Sequence, residues 1–237
     1  IPAPTKAFLN EVGADPGNLK IALFAKIGGK ATHPDCIAAA EDTAKLCESL
    51  GHTVVEAAPM IDYWRLKSVF GLIVSGHTAA MLDLFGMFMG QKVTADMVEP
   101  WTWYLAQFGW KASAAQFAGT KGIINKATRE VANFLTDYDV ILSPTLATPP
   151  PKLGFIDTVN IPMEEMAKRQ SDHNPYNWLY NVVGLPAMSI PLFWNAEGLP
   201  IGSHFAGRYA DEATLYRLAG QLEEARPWRM KVPKIEA

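Results

Sequence analysis

Hydroxyls, imidazoles and carboxylates gather at three places in this 237-residue chain, and together they are the residue types of hydrolytic chemistry. Ser143 and Thr145 follow the apolar run Asp139-Val140-Ile141-Leu142, Ser203-His204 interrupts a later apolar run, and Asp172-His173 opens a polar, aromatic segment. A serine nucleophile needs a base, and the base needs a third group to orient it. The spacing argues against such a triad here. Asp172 adjoins His173, which seldom lets a carboxylate orient the ring, and no G-x-S-x-G elbow exposes a serine. The plainer role for Ser143 and Thr145 is a turn whose hydroxyls bond local backbone.

Other site chemistries have less support. His33, His52, His77, His173 and His204 are scattered without H-x-x-x-H or C-x-x-C spacing, so neither a metal nor another cofactor is expected. Lys26-Ile27-Gly28-Gly29-Lys30 stands where a nucleotide fingerprint would, but lacks the G-x-G-x-x-G spacing. Cys36 and Cys47 fall on one predicted helix, about 16 Å apart along its axis and beyond disulfide reach. They read as small buried hydrophobes in a reducing compartment, a cytoplasmic one, with a reactive thiol as the alternative. Twenty-one basic residues against twenty-four acidic ones, with no basic cluster longer than a pair, predict no nucleic-acid partner. No signal peptide and no uncharged 18-residue stretch is present, so no membrane association is expected.

The elements that must position these residues follow from periodicity. Strand Leu19–Phe24, helix Pro34–Leu50 and strand Thr53–Ala57 form a βαβ unit, which predicts a parallel strand pair within an α/β layer. The helix should bury Ile37, Ala40, Ala44, Cys47 and Leu50. Ile61–Trp110 reads as two or three helices broken at Gly86, Gly90 and Pro100. Its Met81, Phe85, Phe88, Met89, Trp101, Trp103 and Trp110 suit either an apolar acyl pocket or packing onto the sheet. His77 reads as a structural histidine. Helix Ala112–Tyr138, with Phe117, Ile124, Ala127, Val131 and Leu135 as its buried stripe, feeds strand Asp139–Leu142. Ligands gather beyond the carboxyl ends of such strands, which singles out Ser143 and Thr145. A stiff connector after Pro149-Pro150-Pro151 and a short helix Glu164–Lys168 precede a hairpin of Ala187–Leu192 and Ile201–Ala206. Helix Asp211–Ala225 closes the pattern. With 49% hydrophobic and 19% charged residues, 1–237 is expected to fold as one α/β domain.

Four stretches carry a resemblance. Leu199-Pro200-Ile201-Gly202 with Gly207-Arg208, Asp211-Glu212, Leu215, Gln221-Leu222-Glu223-Glu224 and Arg226-Pro227-Trp228 resembles the carboxyl-terminal signature of the amidase signature family. Tyr138–Thr145 resembles that family's late strand, and Asn181-Val182-Val183-Gly184-Leu185-Pro186-Ala187 its N-x-x-G-x-P-A turn. Leu19–Glu56, with His33-Pro34 and Gly51-His52-Thr53-Val54, resembles the βαβ unit that follows the catalytic half.

The resemblance implies a mixed sheet covered by helices, the C-terminal half of the amidase signature fold. It implies hydrolysis or transfer of carboxylic amides by a serine relayed through a second, cis-peptide serine to a lysine. The family places that triad and its oxyanion loop upstream of the βαβ unit with which this chain begins, so no catalytic residue is carried over. Ile1 opens the chain without methionine, and the chain reads as about half of such an enzyme, inactive alone. Its partners would be a small-molecule amide and the missing N-terminal half, with homo-oligomers from exposed sheet edges. Thr145, Asn174 and Asn177 carry over as substrate-facing positions. Amidotransferase members bear an acidic group where Asn174 stands, and a neutral amide does not pair with an ammonium, so an apolar or linear amide is expected. The amidase subunit of a tRNA-dependent amidotransferase and a non-enzymatic binding domain are the alternatives.

Overall fold

The computed structural model describes residues 3–232. In chain order the strands and helices are β1 (Lys20–Leu23), α1 (Pro34–Ser49), β2 (Thr53–Glu56), α2 (Tyr63–Met89), α3 (Pro100–Lys111), α4 (Ala114–Asp137), β3 (Val140–Pro144), α5 (Met163–His173), α6 (Trp178–Val183), β4 (Ala187–Trp194), β5 (Pro200–Gly207) and α7 (Glu212–Ala225). They fall into two compact units. The first takes the described chain up to Pro59, Ala132–Pro150, and everything described from Asn174 onward; the second takes Met60–Val131 and Pro151–His173. The sequence pattern drew no boundary between them, because α4 runs through it.

The first unit is built on a five-stranded sheet in the order β2-β1-β3-β5-β4. β1 runs parallel to β2 and β3, while β5 is antiparallel to β3 and β4, so the sheet is mixed as expected. Side chains alternate across a strand. Ile21, Val140, Leu142 and Phe205 turn to one face and meet Ala44 and Cys47 of α1 and Leu215, Leu218 and Leu222 of α7. Ile141, Ser143, His204 and Ala206 turn to the other. Both cysteines are free and buried, and burial raises the Cys47 thiol to about 12, so the inert reading fits. The buried stripe of α1 is Cys36, Ala39, Ala40, Thr43, Ala44 and Cys47, rotated from the expected one, with Ile37 and Leu50 half-exposed.

The residues that carried the resemblance pin this unit together. Arg208 donates to the carbonyls of Leu135 (2.9 Å) and Tyr138 (3.1 Å) and pairs with Asp139 at 2.8 Å, tying the end of α4 to β5. His52 Nδ1 accepts from the Leu19 amide at 3.1 Å, so its Nε2 carries the hydrogen donated to Gln221 Oε1 at 2.8 Å. Arg226 joins Asp42 of α1 to the Leu192 carbonyl of β4. These are structural bonds made by side chains that composition alone marks only as polar.

The second unit is helical. α2 and α3 lie against each other at a close approach: a Cβ on Gly109 would stand 2.1 Å from the Ser75 carbonyl oxygen. Ala79, Leu82, Val93 and Ala106 form one buried cluster in it. Gly86 does not break α2. It sits inside the helix, where the chain folds back so tightly that a Cβ would meet the Gln91 carbonyl oxygen at 3.0 Å, and the helix ends instead at Gly90 with φ +67°. α2 is long and apolar enough, by length and composition, to cross a membrane, with 28% of its apolar stretch buried. Asp83 divides its uncharged run. α5 extends five residues beyond the expected short helix and takes Asp172 and His173 into its last turn.

Candidate substrate-pocket wall

β3 continues through Ser143 and Pro144, two residues past the expected end, and all five of its residues are buried. Thr145 follows at the carboxyl end of this strand. Its amide donates to the Gly202 carbonyl at 3.2 Å, and its Oγ1 lies 2.7 Å from Ser189 Oγ of β4. Gly202 makes that pairing possible: a Cβ there would stand 2.6 Å from Ser189 Oγ and 2.7 Å from Thr145 Oγ1. Around this pair lies a cavity of about 220 Å³ lined by Cys36, Thr145, Leu146, Ser189, Ile201 and Gly202, among others. Burial, helped by Asp35, raises the Cys36 thiol to about 11, so it stays protonated at neutral pH. Among its lining residues are hydroxyls, a neutral thiol and apolar surface, which can hydrogen-bond a neutral amide and offer no ion to a charged group.

A second polar group lies under α6. The Tyr180 ring stacks on His204 at 4.9 Å, and Tyr176 donates to the Ala25 carbonyl at 2.9 Å while meeting Thr32 Oγ1 at 2.6 Å. Desolvation lowers His204 to about 4 and raises the Tyr180 phenol. Ser143 offsets part of the Tyr180 shift, and His204 Nδ1 finds no hydrogen-bond partner. Without a carboxylate on Nδ1, His204 lacks the orienting group a triad base requires.

The other triad pieces are also engaged elsewhere. Ser203 points to the opposite face from His204 and shares a 2.6 Å bond with Thr43 of α1, both fully buried. Ser143 Oγ turns to its neighbouring carbonyl at 3.2 Å, and Asp172 pairs with Lys168 at 2.9 Å. No group of three or more potential metal ligands occurs among the described residues.

Of the three predicted site residues, only Thr145 lines this cavity. Asn174 and Asn177 stand in the turn between α5 and α6, where Asn174 Oδ1 is buried without a partner and Asn177 leaves the helix start uncapped by its side chain. None of the described bonds joins either to Thr145. Ser189 and Gly202 were not among the predicted site residues: Ser189 pairs with His204, and Gly202 meets it only as a diagonal neighbour across β4 and β5. Of the residues read as either an acyl pocket or packing onto the sheet, Met81, Phe85, Phe88 and Met89 of α2 are exposed, while Trp110 lines a cavity with Leu82, Asp83, Gly86 and Lys92, among others.

A family model described as amidase matches residues 1–216. The chain belongs to the amidase family. It is 26% identical over 246 residues to the 6-aminohexanoate-cyclic-dimer hydrolase of Paenarthrobacter ureafaciens, covering 99% of this chain and 49% of that one. It is 32% identical over 229 residues to the AmiA2 protein of Mycobacterium tuberculosis (strain ATCC 25618 / H37Rv), covering 94% and 45%. Among solved structures, 6-aminohexanoate cyclic dimer hydrolase complexed with substrate superposes with a TM-score of 0.83 at 24% identity, over 96% of this chain and 49% of that chain. A bacterial aryl acylamidase of the amidase signature family does so at 0.70 and 18% identity, over 94% and 47%. The fold is therefore that of amidase signature enzymes, and the chain spans about half the length of the relatives it matches.

Proposed function

We propose that this chain forms part of the sheet and one wall of the substrate pocket in an amidohydrolase acting on C–N amide bonds. The nucleophile, its lysine base and the oxyanion donors come from a further Gly/Ser-rich half, and this chain is inactive without it. The observation that carries the reading is the cavity at the carboxyl end of β3, with its neutral Thr145–Ser189 pair. Hydroxyls there would hold a neutral amide through one or two hydrogen bonds, each contributing about 1 kcal/mol. Asn174, with its buried and unpartnered Oδ1, offers a dipole where a carboxylate would be needed for an ammonium group. A linear or apolar amide is accordingly the substrate class, and an amino-acid amide a poor one.

The experiment joins this chain to the Gly/Ser-rich, lysine-bearing half of a relative and compares hydrolysis of hexanamide with that of glutamine. Hexanamide should be preferred, and Thr145→Val should lower kcat/KM roughly 10-fold, the equivalent of about one hydrogen bond. Preference for glutamine, or indifference to Thr145→Val, refutes the substrate reading.

A further inference from the structure

We propose that Cys36, in the first turn of α1, is a specificity-determining residue that sets how long an acyl chain the cavity beyond β3 accepts. The inference deepens the reading of that cavity as a substrate site and rests on it. Side chains alternate across a strand, and this cavity touches both faces of the sheet. Thr145, Ser189 and Gly202 belong to the face that carries His204. Ile201 belongs to the other face and packs on Cys36 and Ala39 of α1. The two sets meet because β3 ends at Pro144, short of the opening residues of β5.

The hydroxyl pair stands on the open side, where Ser189, Pro150 and Pro200 are exposed. The other side is closed: Cys36 is 1% exposed and Ile201 4%, and Ala39 and Phe193 complete an apolar cluster with them. Backbone and side-chain bonds hold the closed side in place. The His33 amide donates to the Ala147 carbonyl at 2.7 Å, tying the loop after β3 to the start of α1. Asn195 Nδ2 donates to Asp35 Oδ2 at 3.1 Å, tying the β4–β5 turn to the same helix turn.

An amide bound at the hydroxyls on the open side turns its acyl chain inward onto Cys36 and Ile201, because that direction takes the chain out of water. The cavity of about 220 Å³ holds about seven water-sized groups at about 30 Å³ each, which suits a linear acyl chain of about six carbons. Cys36 fixes the depth. Its side chain reaches only one atom beyond Cβ, so a smaller residue deepens the cavity and a longer one fills it. Its thiol is neutral and behaves as a small hydrophobe, suited to the end of an alkyl chain.

Butanamide, hexanamide and octanamide, offered to the chain joined to a Gly/Ser-rich, lysine-bearing half, test it. kcat/KM should peak at hexanamide. Cys36→Ala should raise the octanamide-to-hexanamide ratio roughly 10-fold, and Cys36→Met should lower the hexanamide-to-butanamide ratio by a similar factor, as for one methylene in a fitted pocket. Thr145→Val should lower all three alike. The 237-residue chain alone gives a second readout, because the cavity lies within its first unit. Hexanamide should raise its Tm, and Cys36→Met should abolish that shift. A length profile unmoved by both Cys36 variants, with turnover still lowered by Thr145→Val, overturns the inference and leaves the substrate reading standing. A profile unmoved by all three variants removes both. Where joining yields no turnover, a Tm that hexanamide does not raise, or raises equally in Cys36→Met, overturns the inference.

Discussion

The two units spend the same kind of residue in opposite ways. In the first, Val140, Ile141, Leu142 and Phe205 are fully buried, and Ser143, Ser203 and His204 of the same sheet are enclosed with them. In the second, α2 is as apolar as a core helix, yet Met87 and Phe88 stand about four-fifths in solvent. Apolar composition therefore records what a segment must be covered by, and says nothing of whether the covering atoms belong to the same chain.

Deleting large side chains at matched positions gives the widest separation between the two. Phe205→Ala should destabilise by about 3–5 kcal/mol, because a buried ring in a close-packed layer leaves a cavity. Phe85→Ala should change stability by under about 0.5 kcal/mol at concentrations where the chain is monomeric, as surface substitutions do. Urea midpoints compare them directly, and a large loss at Phe85 would erase the distinction.

Acid should distinguish the units next. His204 is neutral when folded, with its pKa near 4, against an ordinary value of 6.5. Above about pH 6.5 neither state binds the proton. As pH falls from 6.5 towards 4 the unfolded chain protonates first and stability drops, levelling off below about 4 after a loss of order 3 kcal/mol. His204→Gln should flatten that slope in urea midpoints measured between pH 6.5 and 4.

A smaller effect is expected at Gly202. Gly202→Ala should cost about 1–3 kcal/mol by overpacking, and should part Thr145 from Ser189. Gly119→Ala in α4 of the second unit, where a Cβ meets nothing within 4 Å, should be neutral or stabilising by up to about 1 kcal/mol.

How far the residues foretold this architecture depended on whether local pattern or distant contact decided each element. The βαβ unit was legible because Pro34 at the first helical turn and Gly51 after the last fix its boundaries locally. The β4–β5 hairpin was legible from the Glu197-Gly198 turn, where Gly198 has φ +77°. α6 escaped notice: six residues ending at Gly184, with φ +73°, are too few to show a helical period. Gly86 misled because its role is to admit the backbone of Gln91 and Val93, a contact invisible in a linear reading. Phe117 was placed in the buried stripe of α4 but is 39% exposed, its ring lying edge-on to His77. At the site, Thr145 followed from strand topology, while Ser189 and Gly202 meet as diagonal neighbours on two strands, a contact that alternation within one strand does not reveal.

If this chain supplies the pocket wall and another half the chemistry, turnover depends on joining the two. Amide hydrolysis by the purified 237-residue chain, alone and after joining to a Gly/Ser-rich, lysine-bearing half, tests this directly. No turnover above buffer is expected for the chain alone, and turnover is expected on joining. Turnover by the chain alone that disappears in Ser143→Ala or Ser203→Ala would contradict it.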